Sequence, residues 1–210
     1  DPGLKGKFVY DKYIRGCMVD HFISENVTID DFIVLKYEEL GDFVNSNYKA
    51  KIELDKVALT TKGKVNGYAT SITKEIKLKG KSQIEIAYSV KNLSNIAIDA
   101  IFAVEFNLTM PYLNSDRYNY FAGDKILANL NKTGSISGTD LFSIKDSGKE
   151  LGIDFKFSKK PENIWYMPVK TVSQSERAYE LNYQSSCILP RWSFKIPSNK
   201  QANFSIIWTV

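Results

Sequence analysis

Aspartate and glutamate are the residues of this 210-residue chain best suited to catalysis. Glycoside cleavage needs two carboxyl groups about 5 to 10 Å apart across the scissile bond. Glu105 and Glu176 form the pair with the best context, because Glu105 lies on the polar side of a strand-like run and Glu176 follows a run of hydroxyl and amide residues. Either the pair faces a sugar, or another element covers Glu105 and its polar neighbours satisfy it internally.

The single histidine, His21, is the other group suited to proton transfer at neutral pH. It follows Asp20, and adjacent side chains on a strand point to opposite faces, so the two do not form a dyad. The chain has no G-x-S-x-G elbow, no glycine-rich phosphate loop and no histidine cluster. We therefore expect no metal and no cofactor. Cys17 and Cys187 are expected to be buried free thiols, although a disulfide between them stays open.

Amide and aromatic side chains near these acids suit the recognition of sugars. Asn107 follows Glu105 by two residues, so on a strand their side chains stand about 6.5 to 7 Å apart on one face, a separation that matches neighbouring hydroxyls of one ring. Gln184 lies on another polar strand face. Trp165 is a candidate platform for a pyranose ring, although aromatic residues in sheets are more often core.

Apolar residues recur at every second position in several runs, and this alternation predicts the β-strands that carry the candidate side chains. The alternation runs through residues 84–90, 98–110, 151–157, 192–196 and 204–210, and no window favours an amphipathic helix. Turn signals, among them Lys62-Gly63-Lys64, separate the runs. We predict an all-β fold, a large antiparallel β-sandwich of roughly a dozen strands or more.

Two segments interrupt this alternation and are predicted to be long loops. Residues 111–125 and 130–140 are rich in polar, glycine and tyrosine residues. Loops on a rigid scaffold often carry binding groups, and a flap that covers the core is the alternative. The candidate contacts in the first loop are Tyr112, Arg117, Tyr118 and Tyr120.

Composition excludes two classes of partner. The net charge is +4, but the lysines are scattered between apolar residues and form no basic stripe, so we expect no nucleic acid. No apolar run approaches the roughly 20 residues that cross a bilayer, so we expect no membrane. The first residues show neither an initiator methionine nor a signal peptide. We expect the chain to begin within a longer protein and to be cytoplasmic.

Three motifs resemble the C-terminal β-domain of the α-amylases and 4-α-glucanotransferases of glycoside hydrolase family 57. They are YDKYIRGCMVDHF at residues 10–22, AVEFNL at 103–108 and PVKTVSQSE at 168–176. The resemblance implies a galactose mutarotase-like supersandwich over residues 1–210, a single domain from the C-terminal part of a larger enzyme whose catalytic groups lie elsewhere. The residues that match the family's motifs are Arg15, Asp20, His21, Glu105, Asn107, Ser175, Glu176 and Gln184.

Three functions stay open. The preferred one is a non-catalytic β-domain that supports the catalytic domain of the parent enzyme and contacts α-glucan or malto-oligosaccharide. The second is an aldose epimerase-like enzyme with Glu176 or Glu105 as base and His21 as acid. The third is a structural sandwich with no sugar role. No residue is assigned a catalytic role, and the candidate carbohydrate-binding residues are Arg15, His21, Glu105, Asn107, Trp165, Glu176 and Gln184.

Overall fold

A computed structural model of the chain describes residues 9–110, 117–147, 151–174 and 179–210. Within them the chain forms fourteen β-strands and one short helix, and the strand pairs are antiparallel. The elements are β1 (Cys17–Ile23), α1 (Ile29–Ile33), β2 (Lys49–Ile52), β3 (Lys56–Val65), β4 (Tyr68–Lys79), β5 (Gln83–Asn92), β6 (Ile98–Leu108), β7 (Tyr118–Ala122), β8 (Lys125–Asn129), β9 (Gly134–Ser137), β10 (Leu141–Asp146), β11 (Gly152–Phe157), β12 (Asn163–Gln174), β13 (Tyr179–Ile196) and β14 (Gln201–Thr209).

The strands form two sheets that share one apolar core. The smaller sheet has the order β1-β6-β13-β12-β9, and the larger has the order β2-β3-β4-β5-β14-β11-β10-β7-β8. Aromatic rings of both sheets meet between them, as where Trp192 of β13 lies 4.4 Å from Phe204 of β14, measured between ring centroids. The predicted all-β antiparallel sandwich is confirmed.

The middle of β6 is buried on both faces, and this decides the surroundings of Glu105. Phe102, Val104 and Phe106 point into the core between the sheets and have no exposed surface. Ala103 and Glu105 point to the outer face of the five-stranded sheet and are equally buried. A second apolar cluster covers part of that outer face. Its buried members are Phe32, Ala103, Trp165, Met167, Cys187 and Leu189.

α1 supplies the covering side chain Phe32, and sequence reasoning missed this helix. The Thr28 hydroxyl accepts a hydrogen bond from the Asp31 amide at 3.2 Å, and the Asp31 carboxylate accepts one from the Thr28 amide at 3.1 Å. This reciprocal capping box is a sequence signal for a helix start. The helix has only 5 residues, which is too short to produce a helical period in the apolar residues.

The predicted turn at Lys62-Gly63-Lys64 is wrong, because these residues lie inside β3. The chain turns instead at Asn66 and Gly67, whose φ angles of 51° and 80° are typical of a two-residue hairpin. Gly63 has a different role. A Cβ atom at this position would lie 2.1 Å from Oδ1 of Asp42, so the glycine allows a close approach of the carboxylate to the strand.

Replacing Gly63 with alanine is expected to lower the free energy of unfolding by about 1–3 kcal/mol. The added methyl group must displace the Asp42 carboxylate, which accepts a hydrogen bond from the Lys64 amide at 2.8 Å. Gly16→Ala is the control, since nothing lies within 4 Å of a Cβ atom there. Urea unfolding of both variants checks this, and equal midpoints would contradict it.

The predicted loops contain regular structure. Tyr118 and Tyr120 belong to β7 and are buried, and residues 134–137 form β9, so the interpretation of 111–125 and 130–140 as continuous loops is wrong. The Tyr120 hydroxyl donates a hydrogen bond to Ser186 Oγ at 2.8 Å in the interior. Arg117 pairs with Asp146, with 2.8 Å between Nε and Oδ2. Tyr112 lies outside the described residues.

The two cysteines are free thiols, as expected. Cys17 is partly buried and packs against the core between the sheets, whereas Cys187 is buried in the cluster on the outer face. No helix in the described part of the chain has the length and apolarity needed to cross a membrane.

Candidate functional site

Glu105 lies at the centre of a buried polar network on the outer face of β6. Its Oε2 accepts a hydrogen bond from the Tyr13 hydroxyl at 2.6 Å and lies 2.8 Å from Nε2 of His21. Its Oε1 accepts from Nδ2 of Asn107 at 2.6 Å and from Nη1 of Arg15 at 3.3 Å. A carboxylate offers about four lone-pair sites. All of them are occupied by donors from this chain.

Strand register and one preceding segment bring these donors together. β1 pairs with β6 so that His21 lies opposite Ala103, on the same outer face as Glu105. Residues 9–16 precede β1, and from this segment Tyr13 and Arg15 reach Glu105. Arg15 also donates from Nε to Oδ1 of Asp11 at 2.7 Å, so its guanidinium joins two carboxylates.

His21 has a second carboxylate on its other nitrogen. Its Nδ1 lies 2.5 Å from Oε1 of Glu39, while Oε2 of Glu39 accepts from the Phe22 amide at 3.2 Å. The rings of Tyr13 and Phe32 contact the imidazole edge to face, at 5.2 and 5.4 Å between centroids. The imidazole therefore has no exposed surface and uses both nitrogens within the chain.

Electrostatics keep this network charged at neutral pH. Burial lowers the pKa of His21, but the hydrogen bonds and negative charges of Glu105 and Glu39 outweigh burial and raise it to about 9. Burial raises the pKa of Glu105, but His21, Arg15 and Asn107 outweigh burial and lower it to about 2. An imidazolium thus faces a carboxylate. A general base would instead have a pKa near the working pH.

Asp20 lies on the opposite face of β1 from His21, as strand alternation predicts. Its Oδ2 lies 2.8 Å from Nζ of Lys74 and accepts a hydrogen bond from the Tyr48 hydroxyl. Lys74 also donates to the carbonyl of Met18 at 2.7 Å. Asp20 is therefore part of a buried ion pair between the sheets and does not orient the imidazole.

Trp165 and Gln184 lie outside the network. The guanidinium carbon of Arg191 lies 3.7 Å from the centroid of the Trp165 ring, Phe32 packs at 6.1 Å, and Trp165 is 5% exposed. Gln184 is exposed and donates to the Thr171 hydroxyl at 2.9 Å. Glu176 lies outside the described residues.

The structure therefore brings together four of the predicted site residues, Arg15, His21, Glu105 and Asn107. Sequence reasoning missed Tyr13 and Glu39. Tyr13 lies within the motif at residues 10–22, which is a signal that could have found it. Glu39 lies between α1 and β2, where no period marks its neighbours.

Comparison with solved structures shows that the fold is a β-sandwich similar to that of galactose mutarotase-like proteins. A galactose mutarotase-like protein from Clostridium acetobutylicum superposes with a TM-score of 0.54 at 12% identity, over 94% of this chain and 78% of that chain. The 4-alpha-glucanotransferase from Thermococcus litoralis superposes with a TM-score of 0.74 at 23% identity, over 99% of this chain and 29% of that one. At these identities the likeness shows the fold alone.

Sequence comparison defines the family. The family described as Alpha-amylase/4-alpha-glucanotransferase, C-terminal matches residues 1–206, and this chain belongs to it. The α-amylase of Pyrococcus horikoshii is 28% identical over 210 residues, and the 4-α-glucanotransferase of Thermococcus litoralis is 26% identical over 208 residues. Each match covers 97% of this chain, and the chain spans 28% of the length of each relative.

Proposed function

We propose that residues 1–210 form one domain that supports the catalytic part of an α-glucan-acting enzyme and does not itself catalyse a reaction. The saturated carboxylate of Glu105 carries this proposal. Its four hydrogen bonds come from Tyr13, Arg15, His21 and Asn107, so a substrate would have to displace an internal donor. The names of the relatives, α-amylase and 4-α-glucanotransferase, support α-glucan as the substrate of the parent enzyme.

The network has a clear structural task, which is to hold residues 9–16 against the five-stranded sheet. Tyr13 and Arg15 point inward to Glu105, whereas Tyr10 and Ile14 are 86% and 90% exposed. Exposed apolar side chains that lie close together on a surface are typical of an interface, and Tyr10 and Ile14 are only four residues apart. We infer that this surface meets the remainder of the parent enzyme.

A cleft of about 370 Å³ beside the segment extends this surface. Asp11 and Arg15 line one wall, and Ile33 of α1, Met167 and Val169 of β12 supply apolar lining. A mixed apolar and charged lining suits a protein surface with a polar rim. Membership of the parent in glycoside hydrolase family 57 and a cytoplasmic location stay predictions.

An aldose epimerase is the second candidate, because His21 and Glu105 lie 2.8 Å apart and sandwiches of the same type include mutarotase-like proteins. Neither side chain has exposed surface. A sugar could reach the pair only after residues 9–16 had moved away, which would break the hydrogen bonds of Tyr13 and Arg15. The buried geometry therefore favours the supporting role.

Two assays on the chain test the proposed function. We expect no release of reducing ends from maltoheptaose, and we expect polarimetry of freshly dissolved α-D-glucose to give the buffer rate of mutarotation. Glu105→Gln, which keeps the shape of the side chain, should likewise release no reducing ends and give the buffer rate of mutarotation. A rate above the blank that disappears in Glu105→Gln would overturn the proposal and establish the pair as catalytic.

A further inference from the structure

A second cleft, of about 380 Å³, opens at the end of the five-stranded sheet far from Glu105. Asp99 lies in its lining and precedes Glu105 by six residues along β6, which places the cleft about 20 Å from the network. Four separate parts of the fold supply the polar side chains of this cleft. They are Ser24, Glu25 and Asn26 after β1, Asn66 in the turn between β3 and β4, Asp99 of β6 and Ser193 of β13.

Five of the six polar side chains of this cleft are free to bind a ligand, whereas Ser24 Oγ accepts a hydrogen bond from the Asn26 amide at 3.3 Å. Within the described part of the chain, the side chains of Glu25, Asn26, Asn66, Asp99 and Ser193 make no hydrogen bond or ion pair. The Glu105 carboxylate differs from these side chains, because it already accepts hydrogen bonds from four donors of the chain. A ligand could therefore replace water in this cleft without breaking any internal bond of those five side chains.

The chemistry of the lining suits a neutral ligand with many hydroxyl groups. A sugar hydroxyl both donates and accepts, and the cleft offers carboxylates that accept, amides that do both and a serine hydroxyl that does both. Leu40, Ala100 and Ile101 add apolar lining for the C–H groups of a ring. The volume lies within the range of about 300–1,000 Å³ that is usual for ligand pockets.

A metal ion fits this lining less well. The cleft holds two carboxylates, and the described residues contain no group of three or more His, Cys, Asp or Glu side chains that could hold a metal ion. Hard cations such as Ca²⁺ take six to eight oxygen ligands. A volume of about 380 Å³ is also far larger than such an ion needs.

Backbone bonds hold the walls of the cleft in place. The Asn66 amide donates to the carbonyl of Leu40 at 2.7 Å, and the Leu40 amide donates to the carbonyl of Phe22 at 2.7 Å. On the opposite wall Ser193 pairs with Ile101 in the ladder between β13 and β6. A preformed site binds with a smaller loss of conformational entropy.

We propose that this cleft is a binding site for a malto-oligosaccharide, with Asn66, Asp99 and Ser193 as its contacts from the strands and their turn, and Glu25 and Asn26 as its contacts from the segment after β1. The choice of an α-linked glucan among neutral sugars rests on the proposed function. Binding here would give the domain a contact with the polymer, separate from the network that holds residues 9–16.

Titration of the ¹⁵N-labelled chain with maltoheptaose, followed by NMR, tests this proposal. We expect the largest shifts at Asn66, Asp99 and Ser193. The double variant Asp99→Ala/Ser193→Ala should bind about tenfold more weakly, as expected for the loss of two polar contacts. It should keep the wild-type melting temperature, because both side chains are exposed and make no internal bond. Asp124→Ala is the matched control, an exposed aspartate in the turn between β7 and β8.

Four outcomes would overturn the site. A flat response at high millimolar maltoheptaose, or equal affinity in the double variant and Asp124→Ala, would remove it. Shifts in these residues with CaCl₂ but not with sugar would make the cleft a cation site. Shifts centred on Arg15 and Met167 would place the glucan in the other cleft. Turnover in the two assays described above would instead refute the proposed function, whatever the cleft binds.

Discussion

Replacing Glu105 with alanine is expected to lower the free energy of unfolding by about 3–5 kcal/mol, the usual cost of removing one partner from a buried ion pair. The variant leaves an imidazolium, a guanidinium, a phenol and an amide pointing at a site with no acceptor, and water does not reach it in the folded state. For a chain of this size each kcal/mol corresponds to about 2–4 °C in melting temperature. Urea unfolding and thermal melts of the variant measure the loss.

Two other variants separate the network from a general effect of removing an acid. Glu75→Ala removes a carboxylate that is 49% exposed and lies 3.4 Å from Nζ of Lys56, and a surface pair of this kind contributes about 0–1 kcal/mol. Glu105→Gln keeps the shape and one acceptor, so its loss should lie between the two alanine variants. If Glu105→Ala were no less stable than Glu75→Ala, the network would not hold the fold together.

Stability is also expected to fall as the pH rises from about 6.5 to about 9. The pKa of His21 is about 9 in the folded chain, whereas a histidine without these interactions, as in the unfolded chain, has a pKa of 6.5. The folded state therefore binds the proton more tightly. Its contribution is complete below pH 6.5 and is lost as the pH rises through 9. The loss is on the order of 3 kcal/mol, at 1.36 kcal/mol for each pKa unit.

Glu105 is expected to make the folded chain less stable as the pH falls into the acid range. Its pKa is about 2 in the folded chain against a usual value of 4.5, so its contribution is complete above pH 4.5 and is lost as the pH falls through 2. The two groups together predict maximal stability between about pH 4.5 and 6.5. Urea unfolding at several pH values from 3 to 10 measures this profile.

His21→Gln is the control for the alkaline side of this profile. Glutamine keeps polar atoms near both carboxylates but does not titrate, and the chain has no other histidine. Its free energy of unfolding should therefore change much less than that of the wild type between pH 6.5 and 9. Parallel profiles for the two proteins would show that the imidazole is not the group responsible.

The sequence predicted the sheets well, because alternate burial of side chains along a strand leaves a direct trace in the residue types. The apolar residues at even positions of 98–110 lie between the sheets, as in Phe102 and Phe106. The same pattern predicted β5 and β14. It could not show what covers the other side of β6, because Phe32 comes from a helix of 5 residues that is too short for periodicity.

The site was less predictable because tertiary contacts define it. Tyr13 reaches Glu105 across 92 positions of sequence, and Glu39 reaches His21 from a segment without regular structure. Residue type also says little about exposure. Trp165 looked suited to a sugar platform, yet in the fold Arg191 lies over its ring.

Exposure also distinguishes the two sets of polar residues on the five-stranded sheet, the Glu105 network and the lining of the second cleft. The residues that first suggested chemistry, Glu105 and His21, have no exposed surface and are fully bonded within the chain. Asp99 and Ser193 come from the same two strands, β6 and β13, that carry part of the core, and they remain exposed. Binding groups in this chain are therefore better sought among unbonded polar side chains than among buried acids.

The imidazole ¹⁵N spectrum of the wild-type chain tests most directly whether the Glu105 network is closed. His21 is the sole histidine, so its ring signals need no assignment by mutation. We predict that both ring nitrogens carry protons from pH 5 to 8, that these protons exchange slowly with water, and that titration occurs near pH 9. A neutral ring at pH 7.5, with rapid exchange and titration near pH 6.5, would contradict the account and make His21 and Glu105 an accessible acid–base pair.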